Sequence, residues 1–222
     1  MKITIILIAI LVPLTALLRK YSLNKLLEKL YQLAYIENDE KGFLLLLSSP
    51  QADMIMSSKS RKMMELNYWI YKDDIEKVKK TSALIEKQKM NVDDAVALYS
   101  LLIGYYADKK DRVGLEYLEK LNKYSSVAKQ VNQQVLINDC PLVCDIYLNE
   151  NVQLIPKLEE IISEGVDDEA KSVYQYRLAY LYKINGDISK CKFALKEAME
   201  NTSNESSKSK IKKILDGDCK EL

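Results

Sequence analysis

Four cysteines and three acidic pairs are the residues of this 222-residue chain whose types and spacing could do chemistry. Cys140 and Cys144 stand four apart in the segment CPLVC, so on a helix they share a face. A zinc site there would need two more ligands, and because the chain has no histidine only other cysteines or carboxylates could supply them. With Cys191 and Cys219 the set is too small and too uneven for a disulfide framework, and all four read as buried thiols. The lack of histidine also removes Ser-His and Cys-His nucleophile pairs and the HExxH metal helix. The six glycines (Gly42, Gly104, Gly114, Gly165, Gly186, Gly217) are isolated from one another, so no phosphate-cradling loop exists. Asp73-Asp74, Asp93-Asp94 and Asp167-Asp168 could exchange protons with a substrate, yet each falls at a turn or helix start. There a carboxylate caps orphan N–H groups and favours the helix dipole. The chain reads as a non-enzyme without metal or cofactor.

The elements that carry these residues follow from composition. Six Gly and four Pro in 222 residues, among abundant Leu, Lys, Glu, Ala, Ile and Met, predict long helices joined by tight turns, an all-α fold. Against 33 Lys+Arg stand 32 Asp+Glu, a net charge of +1, with both signs interleaved; Lys-rich pieces such as Lys77-Val-Lys79-Lys80 alternate with acids on solvated faces. No nucleic-acid partner is indicated. Tyr outnumbers Phe 15 to 2, which suits rings that pack their body against a neighbour and keep the hydroxyl wet.

Residues Ile3 to Leu18 are uncharged, and apolar apart from Thr4 and Thr15, between Lys2 and Arg19-Lys20. As a helix this run spans about 24 Å, slightly less than the ~30 Å hydrocarbon core, a gap that snorkelling Lys and Arg could close. The run predicts a transmembrane anchor over 1–20. A cleaved signal peptide is the alternative, but no small-x-small exit follows the run. One Lys before the run against Arg19, Lys20, Lys25 and Lys29 after it places the following domain on the cytoplasmic side of a bacterial-type membrane, single-pass.

Beyond Tyr21 short polar turns recur at Asn38-Asp39-Glu40, Asp73-Asp74, Lys109-Lys110-Asp111, Asn149-Glu150-Asn151 and Asn185-Gly186-Asp187. From Asp39, Asp73, Lys110, Glu150 and Gly186 the separations are 34, 37, 40 and 36, the period of a helical repeat array. The last hairpin, AKSVYQYRLAYLYKINGDISKCKFALKEAME, resembles a tetratricopeptide repeat (TPR). Leu178-Ala179 fall on its large-small pair, Tyr182 on its aromatic, Gly186-Asp187 on its turn, Cys191 on the small residue opening the second helix, and Ala198 on the late alanine. ALYSLLIGYYADKKDRVGLEYLEKL is similar through Leu101-Leu102, Tyr105, Gly114, Leu118 and Leu121. The other units match by spacing. The first ends early at Ser48-Ser49-Pro50, and the fourth has a long first helix from about Ser126 to Leu148 and Pro156 inside its second.

The expected architecture is therefore an N-terminal transmembrane helix followed by a TPR-like α-solenoid of about five hairpins over 21–200, with a polar loop and capping helix over 201–222. The resemblance implies a protein or peptide partner held in the concave face made by the first helices of the hairpins. The lining residues it implies are Asn67 and Tyr71 in the second unit, Tyr99, Ile103 and Tyr106 in the third, and Tyr176, Tyr180 and Lys183 in the fifth. The expected function is a membrane-anchored interaction adaptor. An exported binding protein and an enzyme with an unfamiliar helical site are the alternatives.

Overall fold

The computed structural model describes residues 19–222, which are helical with no strand among them. The chain divides into two compact units, Met1–Asn91 and Val92–Leu222. In the first, α1 (19–31) runs into a π-helical turn (Gln32–Ile36) and is followed by α2 (Glu40–Leu47), α3 (Pro50–Ile55), α4 (Ser58–Tyr71) and α5 (Ile75–Glu86). The second holds α6 (Val92–Asp108), α7 (Val113–Asn122), α8 (Val131–Tyr147), α9 (Ile155–Ser163), α10 (Asp168–Ile184), α11 (Ile188–Asn201) and α12 (Glu205–Asp216).

One kind of turn makes every hairpin. Asn38, Asp73, Lys110, Glu150 and Gly186 all have positive φ, between 50° and 81°. The left-handed residue ends the first helix, and the N–H after it reaches back to a carbonyl near the helix end, as from Asp74 to Trp69 (3.0 Å), Asp111 to Tyr106 (2.9 Å) and Asp187 to Tyr182 (2.9 Å). That same next residue is Asp or Asn in all five turns and opens the second helix with its side chain: Asp39 accepts from Gly42 N–H, Asp74 from Lys77, Asp111 from Val113, Asn151 from Gln153 and Asp187 from Lys190. Asp187→Ala should therefore lower the stability of the second unit by about 1 kcal/mol, read as a shift in its urea midpoint with unchanged slope. A change below a few tenths would mean that the cap is redundant.

Only one of the five left-handed residues is glycine, although a side chain costs about 1 kcal/mol there. Several of the others use that side chain on a neighbouring helix. Asn38 Oδ1 accepts from Lys72 Nζ, while Lys110 and Glu150 both engage Tyr180 of α10.

Small residues set the helix spacing in the second unit. Ala179, Cys191, Ala194 and Ala198 are at most 1 % exposed, and Ser172 of α10 donates to the Ala198 carbonyl of α11 at 2.7 Å. A Cβ on Gly114 of α7 would stand 3.0 Å from Leu148 Cδ1 and 3.5 Å from Tyr106 Cβ. Ile211, Ile214 and Cys219 join the same buried cluster as Leu178 and Leu195, so the segment after residue 201 is part of the core of this unit. Glu169 ties its loop down by accepting from the Ser203 N–H (2.6 Å) and the Thr202 hydroxyl (3.0 Å). The Ser203 hydroxyl and N–H, with Thr202, hold that carboxyl below the usual range.

Three helices differ from the expected layout. Pro50 starts a helix of its own, with Ser49 capping Ala52 N–H at 3.2 Å, because proline's fixed φ and missing N–H suit a first turn. Pro156 likewise stands at the start of α9, and the first helix of the fourth hairpin begins at Val131.

The expectation of a transmembrane helix is corrected. Among the described residues no helix is long and apolar enough to cross a membrane. The longest of those listed above, α6, α8 and α10, have 17 residues, a rise of about 25 Å, and each carries charge, as Asp93 and Asp94 in α6, Asp139 in α8 and Arg177 in α10. Charges at such positions cost ~3 kcal/mol each in a bilayer centre. The stretch 3–18 lies outside the described residues. No described helix therefore supports a single-pass membrane location with a cytoplasmic domain, and the described residues are all-helical.

Candidate functional site

The first helices of three successive hairpins, α6, α8 and α10, line a cleft of about 360 Å³ in the second unit. α6 contributes Gly104, Ala107 and Asp108, α8 Val143 and Tyr147, and α10 Tyr176 and Tyr180; Lys110 and Lys210 reach in from a turn and from α12. An adjoining cleft of about 290 Å³ shares Tyr147, Tyr176 and Lys210 and extends to Ser172 and Arg177. The lining stripe keeps a fixed phase relative to the turns. Ala107 stands three before Lys110 and Tyr147 three before Glu150; Gly104 stands six before Lys110 and Tyr180 six before Gly186. Residues so spaced lie on one face of a helix.

Three tyrosines give the cleft its chemistry. The Tyr147 and Tyr180 rings meet at 4.9 Å. Tyr180 donates to Glu150 Oε1 at 3.1 Å, with Lys110 Nζ 5.0 Å from its ring centroid. Lys210 Nζ stands 5.9 Å from the Tyr176 ring centroid. Burial pushes all three phenols above their ordinary range, Tyr176 further through the Asp108 carboxylate; for Tyr180 the nearby Lys110 opposes the rise. They stay protonated at neutral pH and act as hydrogen-bond donors over an apolar floor.

Arg177, 7 % exposed, forms the strongest polar link beneath the adjoining cleft. Its Nη1 and Nη2 donate to Asp139 Oδ1 and Oδ2 at 2.6 and 2.7 Å, joining α10 to α8, and its guanidinium lies 5.5 Å from the Tyr174 ring centroid.

The residues expected to line a groove fall in three places. Tyr176 and Tyr180 line this cleft. Lys183, one turn further along α10, donates instead to the carbonyls of Lys220 (3.0 Å) and Leu222 (2.9 Å). Tyr99, Ile103 and Tyr106 are buried, Ile103 and Tyr106 completely. They form the α6 face toward α7, where Tyr117 packs 6.1 Å from Tyr99 and 5.6 Å from Tyr106. The α6 stripe that does face the cleft is Gly104 and Asp108, one step around the helix.

In the first unit Asn67 lines a separate cleft of about 480 Å³ with Leu27, Leu30, Tyr31, Tyr35 and Met64. Tyr71 is 54 % exposed and stands edge-on to Tyr35 at 4.7 Å. The same phase recurs here, Tyr35 three before Asn38 and Asn67 six before Asp73.

Residues that composition and spacing passed over are Tyr147, Lys110, Asp108 and Lys210. The signal that finds the first of them is the count back from the turn. Two of the acidic pairs serve the backbone, Asp74 and Asp167 capping helices, the latter accepting from Ala170 N–H at 2.9 Å, whereas Asp93 accepts from the Gln133 side-chain Nε2. Cys140 and Cys144 are buried, and desolvation pushes the Cys144 thiol up to about 11. Among the described residues no group of three or more cysteines or carboxylates is placed to hold a metal ion. No protein-family model, curated protein or solved structure matches this chain.

Proposed function

We propose that the chain is a protein–protein interaction module of TPR-like hairpins, and that its second unit holds a segment of a partner protein in the cleft of Tyr147, Tyr176 and Tyr180. The observation that carries this reading is the in-phase stripe: one face of α6, α8 and α10 leaves a cleft floored by apolar groups and the Tyr180 ring, whose hydroxyl is spent on Glu150, and edged by the Tyr147 and Tyr176 phenols. Such a surface suits an extended or helical segment that inserts apolar side chains and offers carbonyl acceptors to the hydroxyls.

Gly104 supports the same reading. It lies in the middle of α6, where glycine costs about 1 kcal/mol relative to alanine. A Cβ there would meet nothing within 4 Å, so packing does not demand the glycine. A floor kept low for a ligand does.

The test uses the full chain to select binders from a random peptide library, followed by affinities for Gly104→Leu and Tyr176→Ala. Gly104→Leu is expected to stabilise α6 by about 0.5–1 kcal/mol while weakening the selected peptides at least tenfold, because its side chain occupies the cleft. Tyr176→Ala should weaken them similarly with little loss of stability. Failure to select any peptide, or peptides that bind both variants as well as the parent, would remove the proposal.

A further inference from the structure

We infer that Cys191 and Cys219 are a disulfide-forming pair that fastens the segment after α12 to α11. Both side chains are buried, at 0 % and 1 % exposure, in one apolar cluster. The chain leaves α12 through Asp218 and Cys219, which take φ of 59° and 63°, and Cys219 N–H closes the turn on the Ile214 carbonyl at 2.8 Å. Two consecutive non-glycine residues in the left-handed region cost about 1 kcal/mol each. The turn leaves Cys219 buried in the cluster that holds Cys191, close enough to help raise the Cys191 thiol. The residues next to them are joined too, Lys192 Nζ to Asp218 Oδ1 at 2.5 Å. Lys183 adds a second clamp through the Lys220 and Leu222 carbonyls.

Cys140 and Cys144 provide the contrast within the same unit. They sit four apart on one helix, which holds their Cβ atoms about 5–6 Å apart, beyond the roughly 3.5–4.5 Å that a disulfide needs. Cys191 and Cys219 belong to different segments, and no helical geometry keeps them separated.

Oxidation runs by thiol–disulfide exchange with a small disulfide such as oxidised glutathione. When residues 217–222 open, Cys219 loses its proton to solvent, attacks one glutathione sulfur and expels the other glutathione as a thiolate. Cys191, deprotonated in turn, attacks the Cys219 sulfur and expels the second glutathione thiolate. Two protein thiols become one disulfide, and one glutathione disulfide becomes two thiols. Burial pushes the Cys191 thiol up to about 12 and Cys219 is 1 % exposed, so exchange waits on opening of residues 217–222. The bridge would fix Glu221 and Leu222, which line the cleft of the second unit. It is independent of what that cleft binds.

The full chain is incubated with oxidised glutathione, in buffer and in dilute urea that leaves its far-ultraviolet spectrum intact, then alkylated and examined by intact mass and non-reducing peptide mapping. The expected product has lost two hydrogen atoms, yields a peptide pair linked through 191 and 219, and melts roughly 5 °C higher. The bridge should persist in the Cys140→Ser/Cys144→Ser variant and vanish in Cys219→Ser and in Cys191→Ser. Four alkylated thiols in both arms, glutathione adducts that do not resolve, or a bridge to Cys140 or Cys144 would each overturn the inference.

Discussion

Replacing Asp139 by alanine is expected to destabilise residues 92–222 by about 3 kcal/mol. The Arg177 side chain is 9 % exposed, and its bidentate partner is the Asp139 carboxylate, itself 35 % exposed. Truncation leaves a guanidinium desolvated between α8 and α10, with the Tyr147 and Tyr174 phenols nearby and no carboxylate across from it in that pair. Water reaching the Asp139 side softens the loss, which places it at the low end of the range for a broken buried pair. Urea unfolding followed by circular dichroism measures it. Trp69, the single tryptophan, lies in the first unit, and its fluorescence transition should stay where it was. Replacing both partners with apolar residues, Asp139→Leu with Arg177→Met, should cost much less than the single change, since no orphaned charge remains. A single-mutant loss under about 0.5 kcal/mol would show that the pair is a surface ornament.

Tyr106→Ala should cost more, about 4 kcal/mol. This ring is fully buried and packs between Tyr105 at 5.2 Å and Tyr117 at 5.6 Å, beside the close approach at Gly114. Removing it opens a void at the α6–α7 seam that the flanking rings cannot fill without leaving their rotamers. The same truncation at Tyr176, half-buried on the cleft edge, should barely move the unfolding midpoint. The two substitutions therefore separate packing from recognition. Should Tyr106→Ala fold as well as the parent and still lose its peptide, the binding surface would lie on the α6–α7 seam and not on the stripe through Gly104.

The hairpins were legible because their turns are written in residue chemistry. An Asp or Asn after a residue able to adopt positive φ, set between apolar periodic runs, marks a helix stop and start together, and it does so at all five turns. Pro156 misled, since a proline breaks a helix in its interior but opens one at its first turn; at Pro50, α2 does stop just before it, and the helix that it opens went unread. The resemblance of the last hairpin to a tetratricopeptide repeat pointed to Tyr176 and Tyr180 on α10, which line the cleft. α6 shows no such agreement. From Ala95 to Ala107 it is buried on nearly every side, and large aromatics at 99 and 106 look the same whether they meet a partner or a neighbouring helix. Only Gly104, an unlikely residue for a helix centre, hints at the open side. The pairing of Cys191 with Cys219 depends on how the chain turns after α12, which local pattern does not encode.

The uniform turn has a bearing on how such a protein can diverge. Each first helix ends at a corner of fixed geometry, and the lining residues are counted from that corner. Variation in repeat length then falls on the opposite links, such as residues 123–130 between α7 and α8 or 164–167 between α9 and α10. Those links can grow or shrink without rotating the stripe. Lineages could lengthen the outer edge freely and exchange Tyr147, Tyr176 or Asp108 one at a time, acquiring new specificities on an unchanged frame.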